Sequence, residues 1–415
     1  MNRFTVVEIS LYACYNERMD ERRPIFHTRP TAGAALGAIL AAILGSLAPD
    51  WVLLAVCAVL IPVTVFLFRR RNACFLLPLA MFAVLVRIVL LPTELPKDGS
   101  AALFLSNLRG NLLQNADALF ADEAAAARGI LLGDSSAVTA VEHAQYAKSG
   151  LLHLFAVSGL HVTILVGMFG KPVRTEHKAL SIGALSLILL FLCAVTGFSA
   201  SVLRAAFTLI ALRIYTLSER KTDMPSVFCF AMAATLLVEP FAYQTVGFRL
   251  SFAAMGGMVL FSRSFRKAFP QIVRNSLIAH ALSGATAATV GMLPLMAYYF
   301  GTLAWVSIPL SILLIPTMPI LLLFGFLAVL LYGVVPHVAA VLSYPAYGAI
   351  KLIAIVAENL DVPYLNLPKP HPAVIVLYYA ALLFCSRLFL PNRKHPPWIG
   401  LGLLTGSILL WFLIQ

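Results

Sequence analysis

The sequence predicts an all-α, polytopic transmembrane helical bundle. Of its 415 residues, 60% are hydrophobic and only 12% are charged, whereas soluble domains carry about 25% charged residues. The apolar residues form runs long enough to cross a bilayer, and the charged residues gather in the short segments between these runs. The mean hydropathy of +0.90 points the same way. This composition excludes an ordinary soluble protein and makes the lipid bilayer an expected partner.

A membrane-crossing helix needs about 17 to 25 predominantly apolar residues. By this rule the chain has about 13 spans. They lie near residues 33–49, 51–68, 73–92, 151–170, 179–197, 199–217, 225–242, 246–262, 276–300, 303–335, 338–357, 372–390 and 398–414.

These spans divide the basic side chains unequally between the two faces of the membrane. One face holds 19 Lys and Arg residues and the other holds five. Because cytoplasmic loops carry the excess of basic residues, we expect the richer face, and the N-terminus with it, to be cytoplasmic. The net charge of +12 follows from this rule and does not by itself indicate nucleic acid.

The spans divide the chain into five segments. The polar residues 1–29 show no cleavable signal peptide and form a cytoplasmic N-terminal segment. Residues 30–92 form N-terminal transmembrane helices, and 93–148 form an external amphipathic segment in which residues 101–132 fit one or two amphipathic helices. Residues 149–390 are the main transmembrane domain, and 391–415 add a C-terminal transmembrane helix.

One predicted span, 303–335, is too long for a simple helix. It contains Pro309, Pro316 and Pro319, and irregular backbone at membrane depth is tolerated only where protein or a water-filled cavity surrounds it. We therefore expect a broken or re-entrant helix that lines a pathway. An ordinary pair of proline-kinked helices fits the same pattern.

The most informative polar residues lie inside one apolar span. His153, Ser158 and His161 occur in Gly150-Leu-Leu-His-Leu-Phe-Ala-Val-Ser-Gly-Leu-His-Val162, and polar groups in a span cost free energy unless neighbouring groups satisfy them. On a continuous helix His161 lies about 80° from His153 and adjoins Ser158, so both polar groups can line one surface. Gly159 begins a smooth face for close helix packing. These residues either line a polar cavity or merely hold helices together.

Arginines also interrupt the apolar runs. Arg204 and Arg249 have almost no intramembrane acids to pair with, so they must find backbone carbonyls, water or an anionic ligand. A phosphate-bearing ligand suits arginine, which binds phosphate oxygens bidentately. Anchoring of helix ends at the membrane surface is the competing interpretation.

Catalytic and metal chemistry are not expected. Ser158 and His161 lack the orienting acid and oxyanion hole that a serine hydrolase needs. The six cysteines are far apart and form no pattern with metal-ligand spacing. We therefore predict no enzyme activity, no cofactor and no metal.

The chain resembles the membrane (competence) domain of the ComEC family of DNA-uptake proteins. The likeness is strongest in Gly129-Ile-Leu-Leu-Gly-Asp134 and in Ser149-Gly-Leu-Leu-His-Leu-Phe-Ala-Val-Ser-Gly-Leu-His-Val162. Later blocks follow in the family's order, including Thr196-Gly-Phe-Ser-Ala-Ser-Val-Leu-Arg-Ala205 and Gly247-Phe-Arg-Leu-Ser-Phe252. The likeness covers roughly residues 125–390.

This resemblance implies a channel in the bacterial cytoplasmic (inner) membrane that carries transforming DNA inward as a single strand. The implied partners are single-stranded DNA, a periplasmic DNA-binding protein, a cytoplasmic helicase or ATPase, and a separate nuclease. Pathway-lining residues would include His153, Ser158, Gly159, His161, Arg204 and Arg249.

The chain departs from many family members in two ways: we expect neither their OB-like domain nor their metallo-β-lactamase-like domain. Two other function classes fit the same residues. One is a secondary transporter of another anionic solute, and the other is a structural partner in an envelope complex that transports nothing.

Overall fold

The computed structural model describes the chain in several stretches. They are residues 30–69, 76–90, 100–155, 157, 159–168, 177–218, 222–270, 274, 276–303, 310, 314, 317–359, 365–386 and 397–413. Across these residues the fold is all-α, as the sequence predicts, except for one antiparallel ladder of two-residue strands, β1 (Thr302–Leu303) and β2 (Leu365–Asn366).

The helices divide between two compact units that are discontinuous in sequence. Unit 1 draws on Leu91–Thr222 and Ala304–Pro363, and unit 2 draws on Leu11–Leu90, Asp223–Leu303 and Tyr364–Gln415. The predicted domain 149–390 therefore contributes helices to both units.

Eight α-helices occupy the described residues of unit 1. They are α4 (Ser100–Phe120), α5 (Ala124–Leu132), α6 (Ala140–Lys148), α7 (Gly159–Met168), α8 (Lys178–Val195), α9 (Ala200–Leu217), α13 (Thr317–Leu331) and α14 (Pro336–Asn359). Short 3-10 turns span Ala121–Glu123 and Leu152–Phe155.

Unit 2 begins with α1 (Pro30–Leu47), α2 (Asp50–Arg69) and α3 (Leu76–Leu90). It continues with α10 (Met224–Val238), α11 (Val246–Ala268) and α12 (Leu277–Phe300), and ends with α15 (Pro372–Cys385) and α16 (Pro397–Leu413). A 3-10 turn at Ala242–Gln244 joins α10 to α11.

The amphipathic segment of unit 1 is helical, but it packs into the core. Its apolar residues at helical spacing, Leu112, Ala116 and Phe120 of α4, are buried in the same cluster as Leu131 of α5 and Phe326 of α13. Gly325 of α13 lets that helix approach α5, because a Cβ atom there would lie 3.0 Å from the Leu131 side chain. Two α-helices, α4 and α5, occupy residues 101–132, for which one or two were expected, and α6 follows them.

Unit 2 contains two close helix contacts at glycines. A Cβ atom on Gly257 of α11 would lie 2.2 Å from the Ala287 carbonyl oxygen and 2.9 Å from the Gly291 Cα atom of α12. A Cβ atom on Gly37 of α1 would lie 2.1 Å from the Leu77 carbonyl oxygen of α3. Glycine at these positions lets the helix backbones touch, as small residues do in membrane bundles.

A proline inside α12 is compensated by a neighbouring helix. Pro294 has no N–H to offer the Val290 carbonyl four residues earlier, and the hydroxyl of Tyr378 on α15 donates to that oxygen at 2.9 Å. Tyr379 donates to the Gly291 carbonyl at 2.9 Å. Membrane helices tolerate proline where a neighbour satisfies the freed carbonyl in this way.

Four of the described helices are long and apolar enough to cross a membrane: α8, α9, α14, and α12 from Ile278 to Phe300. Shorter apolar helices of 10 to 17 residues occupy seven further stretches, among them α7, α10, α13 and α15. The apolar helices make this a membrane protein, while the number of about 13 spans stays a prediction.

Candidate functional site

The polar block of unit 1 is not one continuous α-helix. Residues Leu152–Phe155 form a 3-10 turn and α7 begins only at Gly159. The turn follows Gly150, whose φ of 73° is a left-handed conformation that glycine adopts without strain. The 80° offset between His153 and His161 on one continuous helix is therefore wrong, because His153 lies in the 3-10 turn and His161 in α7. Ser158 lies outside the described residues, as does the side chain of His153.

His161 lies on the buried side of α7. It is 2% exposed, and α7 packs against α8, α9 and α13. Its apolar neighbours Val162, Ile164 and Leu165 are buried as well. Thr163 donates its hydroxyl proton to the Gly159 carbonyl at 2.7 Å, within its own helix. His161 is therefore the buried ionisable side chain that α7 contributes to the interior of unit 1.

Arg204 reaches the start of α7 from the second turn of α9. A Cβ atom on Gly159 would lie 3.8 Å from the Arg204 Nη2 atom and 3.9 Å from the Ala205 Cβ atom. Gly159 thus leaves the space beside the guanidinium that a larger side chain would occupy. Two of the predicted site residues, Gly159 and Arg204, therefore lie side by side.

A further cation lies where α9 begins, and sequence reasoning missed it. The guanidinium of Arg109 on α4 packs against Gly197, where a Cβ atom would lie 2.8 Å from Nη1. Gly197 has φ of 74° and Phe198 has φ of 54°, so the turn between α8 and α9 is tightly wound. The Nε atom of Arg109 is buried and has no hydrogen-bond partner in the described structure. No local signal marks this contact, because it joins residues far apart in sequence.

Arg249 belongs to unit 2, whereas Arg204 belongs to unit 1. It is exposed near the start of α11, and its Nε donates to the Tyr243 carbonyl at 2.8 Å while Nη1 donates to the Tyr299 hydroxyl. Its guanidinium carbon lies 6.0 Å from the centre of the Tyr299 ring.

Only one of the three prolines predicted to lie in a broken helix falls within the described residues. Pro309 and Pro316 lie outside the described residues. Pro319 lies in the first turn of α13, where helix amides have no intrahelical partner. Pro319 therefore lies where a helix begins, and the broken or re-entrant helix over residues 303–335 stays a prediction.

Among the described residues, no three His, Cys, Asp or Glu side chains come together in a way that could hold a metal ion.

These features define a class: a helical membrane protein with a histidine and arginines placed among its packed helices. The chain belongs to the Competence protein family, whose model matches residues 130–391, more than half of its length. The match includes Gly159, His161, Arg204 and Arg249.

Two curated relatives support this family. ComE operon protein 3 of Bacillus subtilis (strain 168) is 28% identical over 299 residues, which cover 69% of this chain and 36% of that protein. Competence protein ComA of Neisseria gonorrhoeae is 26% identical over 326 residues, which cover 74% of this chain and 43% of the relative. The chain thus spans less than half the length of either relative. No solved structure matches it significantly.

Proposed function

We propose that the chain is a channel that carries single-stranded DNA across the membrane during natural competence, with no catalytic activity of its own. Membership of the Competence protein family supports a role in DNA uptake, and the apolar helices support a location in the bilayer. Because the two relatives are considerably longer, the proposal concerns the membrane part that all three share.

The contact of Arg204 with Gly159 carries the proposal. A guanidinium among apolar helices needs polar groups, water or an anion to satisfy it, and the absent side chain at Gly159 leaves room for an anion beside this one. A DNA strand presents a phosphate every nucleotide, and arginine binds phosphate oxygens bidentately. Arg204 is therefore proposed to offset the free-energy cost of desolvating the passing phosphates. The proposed pathway includes His161, which lies on the same helix as Gly159.

The proposed pathway also includes His153, Ser158 and Arg249. Arg109 joins this set because its guanidinium lies at the turn that begins α9. The proposed partners are single-stranded DNA, a DNA-binding protein outside the membrane, a cytoplasmic helicase or ATPase, and a separate nuclease.

DNA uptake in a naturally transformable host tests the proposal. Deletion of the gene is expected to abolish internalisation of labelled DNA and the appearance of transformants, and the wild-type gene is expected to restore both. If both readouts stay unchanged on deletion, the channel function is excluded. A transporter of another solute and a structural partner then remain.

His161→Leu tests the site more sharply, since it keeps the side chain large but removes the ionisable ring. We expect uptake to fall about tenfold, a change equivalent to ~1.4 kcal/mol, at an unchanged level of protein in the membrane. Leu165→Met is the matched control on α7, because volume-conserving apolar exchanges in a core are well tolerated. Equal uptake by the two variants would assign His161 to packing.

The proposed location is the bacterial cytoplasmic membrane with a cytoplasmic N-terminus. Arg263, Arg266, Lys267 and Arg274 lie at the α11 to α12 connection, and we place this basic end in the cytoplasm. A periplasm-dependent reporter enzyme fused after Lys267 is expected to be inactive, whereas the same enzyme fused after Gly301 is expected to be active. The reverse pattern would invert the orientation.

A further inference from the structure

Unit 2 presents an exposed group of tyrosines and cations, which we name the tyrosine–cation cluster. It consists of Tyr243, Arg249, Tyr298, Tyr299 and Lys369. Tyr243 belongs to the 3-10 turn before α11, Arg249 lies in the first turns of α11, and the adjacent tyrosines end α12. The cluster therefore collects residues from three separate parts of the sequence at one end of unit 2.

The β-ladder and its neighbours hold Lys369 in place. Leu367 donates its amide proton to the Gly301 carbonyl at 2.8 Å, just beyond the end of α12. The indole Nε1 of Trp411 donates to the Pro368 carbonyl at 2.8 Å. The segment leading to Lys369 is thus fixed beside the end of α12, although the lysine side chain itself is exposed.

Both cations lie over tyrosine rings. The Lys369 Nζ atom lies 4.6 Å from the centre of the Tyr298 ring, and Arg249 lies over Tyr299 while donating hydrogen bonds to Tyr243 and Tyr299. The two rings meet edge to face, with centres 5.1 Å apart and planes at 89°. Tyr298 and Tyr299 are half-buried, so each ring is anchored while part of it stays accessible.

The charges of this cluster are not neutralised within the described chain. Neither Arg249 nor Lys369 forms an ion pair with an acidic residue there, where the observed ion pairs join Arg128 to Asp117 and Asp134. Exposed cation–π contacts contribute only about 0.5–1 kcal/mol. An incoming phosphate can therefore displace these contacts at small cost and expose the ring face.

We propose that the tyrosine–cation cluster is a contact site for single-stranded DNA, with phosphates on Arg249 and Lys369 and an unpaired base stacked on Tyr298. This assignment rests on the proposed function, since it gives the transported strand a specific point of contact. Proteins that bind single strands without sequence preference combine aromatic stacking platforms with basic side chains along the backbone. A duplex keeps its base faces stacked, so this arrangement favours a single strand.

Equilibrium binding of a fluorescently labelled oligothymidylate to the purified full chain, in nanodiscs of zwitterionic lipid, tests the site. Lys369→Gln is expected to weaken binding about fivefold and to reduce the salt dependence of log K by about 0.7, the value for one phosphate contact on a single strand. Tyr298→Leu is expected to weaken binding about tenfold with an unchanged salt slope, because stacking releases no counterions.

Two further variants show whether weaker binding comes from the loss of base stacking or charge at the cluster and not from misfolding. Tyr298→Trp keeps an aromatic face and is expected to bind like the wild type. Lys351→Gln is the matched control, because Lys351 is an exposed lysine whose Nζ lies 5.6 Å from the Tyr347 ring centre in unit 1, outside the cluster. Its removal is expected to leave oligothymidylate affinity unchanged.

Equal affinities for the wild type, Lys369→Gln and Tyr298→Leu overturn the site. If those variants instead lose only the thermal stabilisation that anionic lipid gives the wild type, the cluster is an anchor for lipid headgroups. The proposed function is tested separately, by counting transformants after deletion of the gene. If transformation is unchanged, the channel function is overturned, even where the purified chain binds the oligonucleotide at this cluster.

Discussion

Arg204 on α9 and Gly159 on α7 pack directly against each other. A Cβ atom at Gly159 would make an ordinary van der Waals contact, 3.8 Å from the Arg204 Nη2 atom, whereas a branched side chain there would displace the guanidinium. This contact places the cation of α9 beside the first residue of the helix that carries His161. The position of the guanidinium therefore depends on the size of residue 159.

Gly159→Leu is expected to fold and insert but to lower DNA uptake about tenfold, because overpacking of about 1–3 kcal/mol moves the Arg204 guanidinium. Gly159→Ala is expected to keep most uptake, since its Cβ fits. Transformant counts, normalised to the amount of protein in the membrane, give the comparison.

Gly183→Leu provides the control for adding bulk and apolarity to unit 1. Gly183 lies on α8 with nothing within 4 Å of a Cβ atom placed there, so uptake is expected to stay at the wild-type level. Equal losses for the leucine variants at 159 and 183 would mean that the Arg204 contact has no special role.

The sequence predicted the helices well because apolar runs report directly on local structure in a bilayer. It did not predict the 3-10 turn before α7, since Leu152, Leu154 and Phe155 are as apolar as a helix interior. Runs of apolar residues do not show where a 3-10 turn replaces an α-helix.

The sequence also did not predict the contacts between residues far apart in the chain. Arg109 meets Gly197, and α4 packs into the core of unit 1, but a periodic pattern states only that a helix has an apolar face and not which helix covers it. The separation of Arg204 and Arg249 into different units follows from the same limit. The residue type that they share does not show which unit each residue joins.

Gly257→Ala is expected to destabilise the chain. Its Cβ would lie 2.2 Å from the Ala287 carbonyl oxygen, and since the obstacle is backbone, α11 and α12 must move apart at a cost of about 1–3 kcal/mol. Thermal unfolding followed by the helical circular dichroism signal in detergent measures the loss.

Gly256→Ala is the adjacent control for this contact. A Cβ atom there meets the Phe228 ring at an ordinary 3.8 Å, and alanine favours helix over glycine. Its unfolding temperature is expected to equal or exceed that of the wild type. A similar drop for both variants would contradict the close approach at Gly257.

Tyr378→Phe is expected to lower the free energy of unfolding by about 1–3 kcal/mol, since it leaves the Val290 carbonyl without the donor that replaces the missing N–H of Pro294. Tyr379→Phe is expected to cost less, because the Gly291 carbonyl can also accept the amide of Leu295 in the helical pattern. Thermal unfolding of both single variants provides the comparison.

A double-mutant cycle isolates the role of Pro294. In the Pro294→Ala background, residue 294 supplies its own amide to Val290, so Tyr378→Phe is expected to cost clearly less than in the wild type. The same cost in both backgrounds would show that Tyr378 contributes through packing and not through the vacated carbonyl.

The acid stability of unit 1 is expected to depend on Asp134. This carboxylate is 14% exposed and accepts hydrogen bonds from Arg128 Nε at 3.2 Å and from the Ser136 amide at 3.3 Å. Burial raises the pKa of Asp134, but the hydrogen bonds from Arg128 and Ser136, with the charge of Arg128, outweigh burial and lower it. Because the pKa of Asp134 is lower in the folded state, its carboxylate stabilises the fold fully above the unfolded-state pKa of about 3.9. This stabilisation is lost as the pH falls through the folded-state pKa.

Asp134→Asn is therefore expected to cost about 1–3 kcal/mol at neutral pH, and its difference from the wild type is expected to shrink below about pH 4. Asp117→Asn is the matched control, because Asp117 accepts from the same arginine at 3.3 Å but is 45% exposed, and exposed ion pairs contribute about 0–1 kcal/mol. The measurement is the unfolding temperature of the wild type and of both variants from pH 7 to pH 3. Either a constant difference across this range or an equal cost for the two variants would contradict the assignment, because only a carboxylate with a lowered pKa in the folded state loses its contribution in acid.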